Sequence, residues 1–149
     1  MNNEGEITVM ENRLAIRELV DNYAFFADAK ETDKQVALFA DDYKLEVYYD
    51  STSQIPTQTI QWKDNLKQLF VDSLSPFSKT MHFNGQSSVT FISDTEAEGI
   101  VYCRAFHYNN TDNQEKLMVA SIKYEDKYKK SEDQWYFAER KLLVQWMEN

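Results

Sequence analysis

The two histidines are the side chains of this sequence best suited to moving protons near neutral pH, because an unperturbed imidazole titrates there. His82 lies on the polar face of the alternating segment 80–84. His107 lies on a strand face whose other members are small or apolar, which leaves room for a ligand on the concave side of a curved sheet: Val101, Cys103 and Ala105. A histidine on such a face can act as a general base or acid, or it can be a hydrogen-bonded core residue without a chemical role.

Asp28 is the carboxylate best placed to work with a histidine. It follows the apolar run 23–27 at the end of a predicted helix, where the negative end of the helix dipole disfavours an anion. One interpretation is a solvated helix end, and the other is a carboxylate that points into a cavity and orients a histidine. Such a pair fixes the imidazole tautomer and raises its basicity, which permits general base catalysis without a metal.

Three tyrosines are candidate hydrogen-bond donors to a substrate oxygen: Tyr23, Tyr49 and Tyr124. Val47 shares a predicted strand face with Tyr49, and Ile122 shares one with Tyr124. Because the chain contains nine tyrosines, the alternative for any one of them is an ordinary packing role.

Several other chemistries have no motif in this sequence. It lacks GxGxxG, a P-loop, HExxH and GxSxG, so nucleotide, metalloprotease and serine-hydrolase functions have no support. Cys103 is the only cysteine, and one cysteine with two histidines is too few for a structural zinc site. We therefore expect neither a metal nor a cofactor.

The composition indicates an ordinary globular domain with an acidic surface. Against 25 Asp and Glu there are 16 Lys and Arg, a net charge of −9, which disfavours nucleic acid and anionic membranes as partners. No apolar run reaches transmembrane length, and because the first 13 residues carry acidic side chains and no apolar block, we expect no signal peptide. We expect a cytoplasmic protein with one domain over residues 1–149, in which residues 1–8 are a flexible N-terminus.

The first half of the sequence predicts three helices and one strand. Thr8 and Glu11 form a capping-box pattern, so the first helix should start there and run to Asp28 or Ala29 with one buried apolar face. The other predicted elements are a helix from Thr32 to Ala40 that Asp41 and Asp42 end, a strand over 44–49, a polar loop over 51–59, and a helix over 62–74 that Ser75-Pro76 ends.

The second half predicts four long strands joined by short polar turns, over 79–92, 96–109, 116–129 and 134–147. Long neighbouring strands with short turns form a curved antiparallel meander, and three helices packed on one side of it make an α+β fold. We expect this arrangement to enclose a cone-shaped cavity for a small molecule.

Four segments in this order resemble the SnoaL-like branch of the nuclear-transport-factor-2-like (NTF2-like) superfamily, most of all its scytalone and bile acid 7α-dehydratases. The segments are AIRELVDNYAFFAD at 15–28, TMHFNG at 80–85, YEDKY at 124–128 and QWYF at 134–137. The resemblance implies a cone-shaped α+β barrel. It also implies a cofactor-independent enzyme, a dehydratase (lyase) or an isomerase, that acts on a hydrophobic oxygenated ring compound.

The resemblance also implies roles for individual residues. Asp28 and His82 match the paired aspartate and histidine of the dehydratases, His107 matches a second histidine, and Tyr23 matches a tyrosine five residues before the aspartate. The catalytic set would then be these four residues. The substrate would contact positions that differ from the dehydratases or that neighbour the matched site residues. These positions are Val47, Tyr49, Ala105, Ile122 and Tyr124.

Two other interpretations stay open at this point. The same fold could bind a small apolar ligand without catalysis, with the histidines anchoring a polar end. Independently, an apolar outer sheet face would favour a homodimer or homotrimer, and its predicted members are Tyr102, Phe106, Tyr108, Tyr136 and Trp146.

Overall fold

The computed structural model describes residues 3–149 of the chain, and this part contains three helices and six strands. The helices are α1 (Asn3–Asp28), α2 (Thr32–Val36) and α3 (Lys63–Leu74). The strands are β1 (Phe39–Tyr48), β2 (Gln58–Ile60), β3 (Lys79–Phe91), β4 (Glu96–Thr111), β5 (Gln114–Ser131) and β6 (Gln134–Glu148).

All six strands form one sheet in the order β2-β1-β6-β5-β4-β3. Every neighbouring pair is antiparallel except β1 and β6, which are parallel. The predicted α+β fold, with three helices and a curved sheet, is therefore confirmed, and the sheet is not closed. The four long strands β3 to β6 form the predicted antiparallel meander, and β1 joins this meander in parallel with β6.

The sheet curves because its long strands are interrupted by bulges. The registers of the β3–β4 and β5–β6 pairs shift between Asn84 and Ser87, between Ser121 and Ile122, and between Lys127 and Tyr128. Each bulge bends the strand and increases its twist. The small side chains of β4 consequently face a concave side, where Ala105 is fully buried.

Helix α1 is bound to the edge strand β3 by both apolar and polar contacts. Its buried face consists of Ile16, Leu19, Val20, Tyr23, Ala24 and Ala27, as the apolar spacing predicts. Arg17 Nη1 donates to Gly85 O at 3.1 Å and to Ser87 Oγ at 2.9 Å. Asn84 Nδ2 donates to Val20 O at 3.2 Å. These bonds fix the last turns of α1 against the strand that carries His82.

Two predicted helix boundaries are wrong. Helix α1 starts at Asn3, so Thr8 is not its cap; the Thr8 hydroxyl instead donates to Glu4 O at 2.9 Å within the helix. Of the segment predicted to be flexible, residues 3–8 are helical, and residues 1–2 lie outside the described part.

The second predicted helix is shorter than expected. Helix α2 ends at Val36, and Phe39 and Ala40 belong to β1, where they are buried. Phe39 pairs with Phe137 of β6, and the apolar surface that it buries in the sheet outweighs its helical pattern. The predicted strand over 44–49 therefore begins earlier, and the predicted loop 51–59 runs into the short strand β2.

None of the helices within residues 3–149 combines the length and the apolar character that crossing a bilayer requires.

Gly99 provides a test of the close strand packing. A Cβ at Gly99 would overlap the backbone oxygen of Ser88 and lie 3.2 Å from the Tyr128 ring, whereas a Cβ at Gly85 meets nothing closer than 3.9 Å. We expect Gly99→Ala to lower the free energy of unfolding by about 1–3 kcal/mol, because backbone atoms must shift. Urea unfolding measures the change, with Gly85→Ala as the matched control. Equal stability of the two variants would contradict the packing at Gly99.

Candidate active site

Asp28 and His82 meet where the end of α1 packs on β3. Oδ1 of Asp28 lies 2.7 Å from Nδ1 of His82, the distance of a charge-assisted hydrogen bond. The His82 side chain is 9% exposed and the Asp28 side chain 27%, so the pair is largely withdrawn from water. The helix face and the strand alternation thus bring together two residues that are far apart in the sequence.

Further donors hold the Asp28 carboxylate in place. The Thr80 hydroxyl donates to Oδ1 at 3.0 Å, and the His82 backbone N–H lies 3.1 Å from Oδ1 and 3.0 Å from Oδ2. The last turn of α1 contains no basic residue that could offset the negative end of the helix dipole. The donors on β3 stabilise the Asp28 carboxylate instead. They also fix it relative to the imidazole.

His107 lies close to this pair on the neighbouring strand β4. Its ring centroid is 6.0 Å from that of His82 and 4.7 Å from that of Phe77. Burial lowers the pKa of His107, and the nearby His82 imidazole lowers that pKa further. Its Nδ1 is buried and has no hydrogen-bond partner within the described residues. His107 is therefore neutral at neutral pH and can accept or relay a proton.

A cavity of about 290 Å³ opens beside the histidines, between the concave sheet face and helices α1, α2 and α3. Its wall includes every residue that the sequence analysis assigned to catalysis or substrate contact except Asp28, which sits behind His82: Tyr23, Val47, Tyr49, His82, Ala105, His107, Ile122 and Tyr124. Residues that the sequence analysis did not single out complete the wall, among them Gln35, Phe70, Leu74, Phe77, Met118 and Leu142. Most of this lining is apolar, which suits an apolar guest molecule.

The three candidate tyrosines occupy different parts of the cavity. Tyr23 and Tyr124 are buried, with ring centroids 5.8 Å apart, whereas Tyr49 is 59% exposed and lies at the rim. Burial raises the pKa of Tyr23 and that of Tyr124. Both phenols therefore keep their protons at neutral pH and can donate hydrogen bonds to an oxygen atom.

A buried ion pair that the sequence analysis missed lies behind these phenols. Arg140 is fully buried, and its Nε donates to Asp126 Oδ1 at 2.9 Å. The guanidinium carbon lies 3.5 Å from the centroid of the Tyr124 ring and 4.3 Å from that of Tyr23, which are cation–π distances. Asp126 raises the pKa of Arg140 although burial opposes this, so the cation persists next to the cavity.

Strict alternation along β6 does not predict that Arg140 faces the interior. The bulge between Lys127 and Tyr128 shifts the register against β6, so Phe137 and Arg140 both reach the interior although alternation would put them on opposite faces. The available signal was Asp126, which shares the inward face of Ile122 and Tyr124 and requires a cation when it is buried.

The Cys103 thiol, a potential nucleophile in the interior, is unreactive. Cys103 is buried on β4, and burial raises the pKa of its thiol to about 12. Such a thiol is not ionised at neutral pH. Within residues 3–149, no cluster of three His, Cys, Asp or Glu side chains is arranged to hold a metal ion.

Three solved structures similar to this chain share its fold. A candidate scytalone dehydratase from Novosphingobium aromaticivorans is 24% identical, with a TM-score of 0.81, and the match covers 96% of this chain and 90% of that one. The hexachlorocyclohexane dehydrochlorinase LinA-type3 from Novosphingobium barchaimii is 15% identical, with a TM-score of 0.78 and coverages of 96% and 92%.

The third structure is the β subunit of a candidate aromatic-ring-hydroxylating dioxygenase from Novosphingobium aromaticivorans. It is 17% identical, with a TM-score of 0.76, and the match covers 91% of this chain and 90% of that one. No curated protein matches this chain. At these identities the structural likeness shows the fold alone.

The sequence itself matches a family model, that of the SnoaL-like domain, over residues 8–141. The match spans α1 to β6 and includes Asp28, His82 and His107. The SnoaL-like resemblance inferred from the sequence is confirmed: this chain belongs to the SnoaL-like domain family.

Proposed function

We propose that this protein is a cofactor-independent small-molecule enzyme that uses Asp28 and His82 for proton transfer. The reaction would be of the dehydratase (lyase) or isomerase type, on a hydrophobic oxygenated ring compound. The observation that carries the proposal is the 2.7 Å contact between Asp28 Oδ1 and His82 Nδ1 on the wall of an apolar cavity. Two similar structures bear the names of eliminating enzymes, a dehydratase and a dehydrochlorinase, which is consistent with this class.

In this proposal, the hydrogen bond selects the imidazole tautomer. Because Nδ1–H of His82 donates to the Asp28 carboxylate, Nε2 keeps its lone pair and serves as the general base. The carboxylate then stabilises the imidazolium that forms when Nε2 takes a proton. Asp28 is thus a positioning residue, and His82 is the residue that meets the substrate.

The proposed elimination begins with removal of a proton from a carbon next to a carbonyl group. His82 Nε2 takes this proton, and the C–H electron pair becomes a carbon–carbon double bond as the neighbouring C–O bond breaks. The leaving hydroxyl takes a proton from the His82 imidazolium, either directly or through a phenol that the imidazolium then reprotonates, so the products are the unsaturated ketone and water. An isomerase would instead return the proton to a different carbon.

The developing negative charge on the carbonyl oxygen requires hydrogen-bond donors. In the proposed mechanism, the phenols of Tyr23 or Tyr124 supply them, because burial keeps both protonated. The neutral His107 imidazole, 6.0 Å from His82 between ring centroids, would polarise an oxygen or relay the proton.

Replacing Asp28 tests the proton-transfer role. We expect Asp28→Asn to lower turnover by about 10²-fold or more, and His82→Gln by roughly 10²–10⁴-fold, because the base loses its orienting charge or disappears. Two ring ketones serve as probes. 3-Hydroxy-1-tetralone can lose water to give fluorescent 1-naphthol, and deuterium exchange at C2 of 1-tetralone in D₂O detects proton removal without elimination. Asp72→Asn, on the exposed face of α3, is the matched control.

The same variants distinguish an enzyme from a binding protein of this fold. A binding protein would bind the tetralones but would catalyse neither deuterium exchange nor water loss, even as the wild type. In that case Asp28→Asn would at most weaken the binding. Equal exchange rates in wild type and Asp28→Asn would contradict the proposed role of the pair.

The lowered pKa of His107 predicts a pH dependence of stability. An unfolded chain protonates this histidine as the pH falls through about 6.5, whereas the folded chain resists protonation until a lower pH, so stability decreases on acidification within that window. We expect His107→Phe to flatten the dependence of Tm on pH between about pH 5 and 7. Met118→Leu, which alters the same cavity wall but keeps the imidazole, should retain the wild-type slope. A steep slope that persists in His107→Phe would refute the assignment.

We also propose that the chain forms a homodimer or homotrimer through the outer sheet face. Tyr102 is 41% exposed and Trp146 is 57% exposed, and the neighbouring edge strand adds Met81 and Phe83, at 61% and 65%. Register places Phe83 opposite Arg104, Arg104 opposite Ser121, and Ser121 opposite Trp146, so Phe83 and Trp146 lie on the same outer face with Arg104 and Ser121 between them. Several exposed apolar side chains on one face are typical of a protein interface.

A charge on this face should prevent assembly. We expect Trp146→Arg to shift the wild-type oligomer to monomer in sedimentation velocity at micromolar concentration, because a buried unpaired cation opposes association. Ile55→Arg, in an exposed loop, is the control and should leave the oligomer intact. A monomeric wild-type protein would contradict the proposal.

A further inference from the structure

Within residues 3–149, Gln35 Oε1 is one of three buried side-chain polar atoms without a hydrogen-bond partner, the others being His107 Nδ1 and Arg140 Nη1. His107 belongs to the proposed catalytic set and Arg140 is paired with Asp126, whereas Gln35 has no role so far. Within residues 3–149, the buried residues with polar or charged side chains are Gln35, Glu46, Ser121, Asp126 and Arg140. Glu46 accepts a hydrogen bond from Tyr48, Ser121 accepts one from Arg104, and Asp126 pairs with Arg140. Gln35 is 1% exposed, yet its Oε1 has no partner within the described residues.

The backbone of Gln35, in contrast, is fully bonded. Its N–H donates to Glu31 O at 3.1 Å, and its carbonyl accepts from Leu38 N–H at 3.2 Å. Helix α2 is also tied to its surroundings, because Lys63 Nζ donates to Val36 O at 3.2 Å. The amide group is thus carried on a fixed segment, and only its own side-chain torsions remain free to turn it.

Gln35 belongs to the wall of the cavity that holds the histidines. On the helical side, the same wall contains Phe70, Ser73 and Leu74 of α3. A buried amide oxygen without a partner is unfavourable, and an apolar side chain of similar shape would remove this penalty. Such a group at a cavity wall indicates that the partner comes with the ligand.

We propose that Gln35 is a substrate-recognition residue whose carboxamide accepts a hydrogen bond from a hydroxyl group of the bound molecule. The substrate class then narrows to apolar ring compounds with two polar functions, one at the histidines and a second hydroxyl at Gln35. This inference rests on the proposed function only in placing a small molecule in the cavity. It does not depend on the proton-transfer step.

Binding of two probes that differ by one hydroxyl tests this inference. 2-Naphthol carries one hydroxyl, and 2,6-dihydroxynaphthalene carries a second one at the opposite end. We expect the wild-type protein to bind the diol roughly 3- to 10-fold more tightly by calorimetry, as one neutral hydrogen bond allows. In Gln35→Met this preference should fall to about one, and in Gln61→Met, at an exposed position outside the cavity wall, it should remain.

The thermal stability of the ligand-free protein gives a second readout. If Gln35 had a structural role instead, its replacement would lower Tm rather than raise it. We expect Gln35→Met to raise Tm by about 2–4 °C, because it removes an unpaired buried oxygen and keeps the side-chain volume. A lowered Tm would show that the amide already has a partner in the free protein and would overturn the proposal. A wild-type protein that does not prefer the diol, or a preference that persists in Gln35→Met, would also overturn it.

Failure of this inference is distinguishable from failure of the proposed function. Loss of the diol preference concerns binding alone and is measured without turnover. Equal turnover in wild type and Asp28→Asn would refute the catalytic role of the Asp28–His82 pair while leaving the role of Gln35 intact.

Discussion

The hydrogen bond between Asp28 and His82 is the interaction on which the rest of this architecture depends. It joins the last residue of α1 to the edge strand β3, and the same carboxylate also accepts from Thr80 and from the backbone of His82. An anion at the C-terminus of a helix whose last turn has no basic residue is unfavourable, and these donors offset that cost. The hydrogen bond that holds α1 against β3 therefore also orients the imidazole toward the cavity.

The cavity between the sheet and the helices is mostly apolar, and its polar groups are confined to a few places. Ala105 and Ala120 on the central strands leave space where larger side chains would fill the cone. Behind the phenols, Arg140 is held by Asp126 and by the faces of aromatic rings, so a full charge lies next to the cavity without reaching water. A guest molecule in this space would meet aromatic surface, two imidazoles and, on the helical side, the Gln35 amide.

Much of the fold could be predicted because its signals are local. The apolar face of α1 and the alternation of the four long strands survive in the structure, since burial on one face follows directly from residue spacing. The errors occur where distant segments compete with local pattern. Phe39 and Ala40 follow a helical spacing but join β1 next to β6, and Thr8 lies inside a helix that begins at Asn3. The bulges could not be predicted, because they depend on how neighbouring strands fit together.

The sequence by itself determined the residue types available for chemistry: two histidines, an aspartate at a helix end, and a strand face made of small side chains. It also determined the family, because short motifs in a fixed order are written along the chain. Only the tertiary structure decided that Asp28 and His82 are in contact, that Arg140 faces inward, and that the Gln35 oxygen has no partner within residues 3–149. The physical reason is that hydrogen bonds and burial depend on distances between segments, which residue spacing along one strand or helix does not specify.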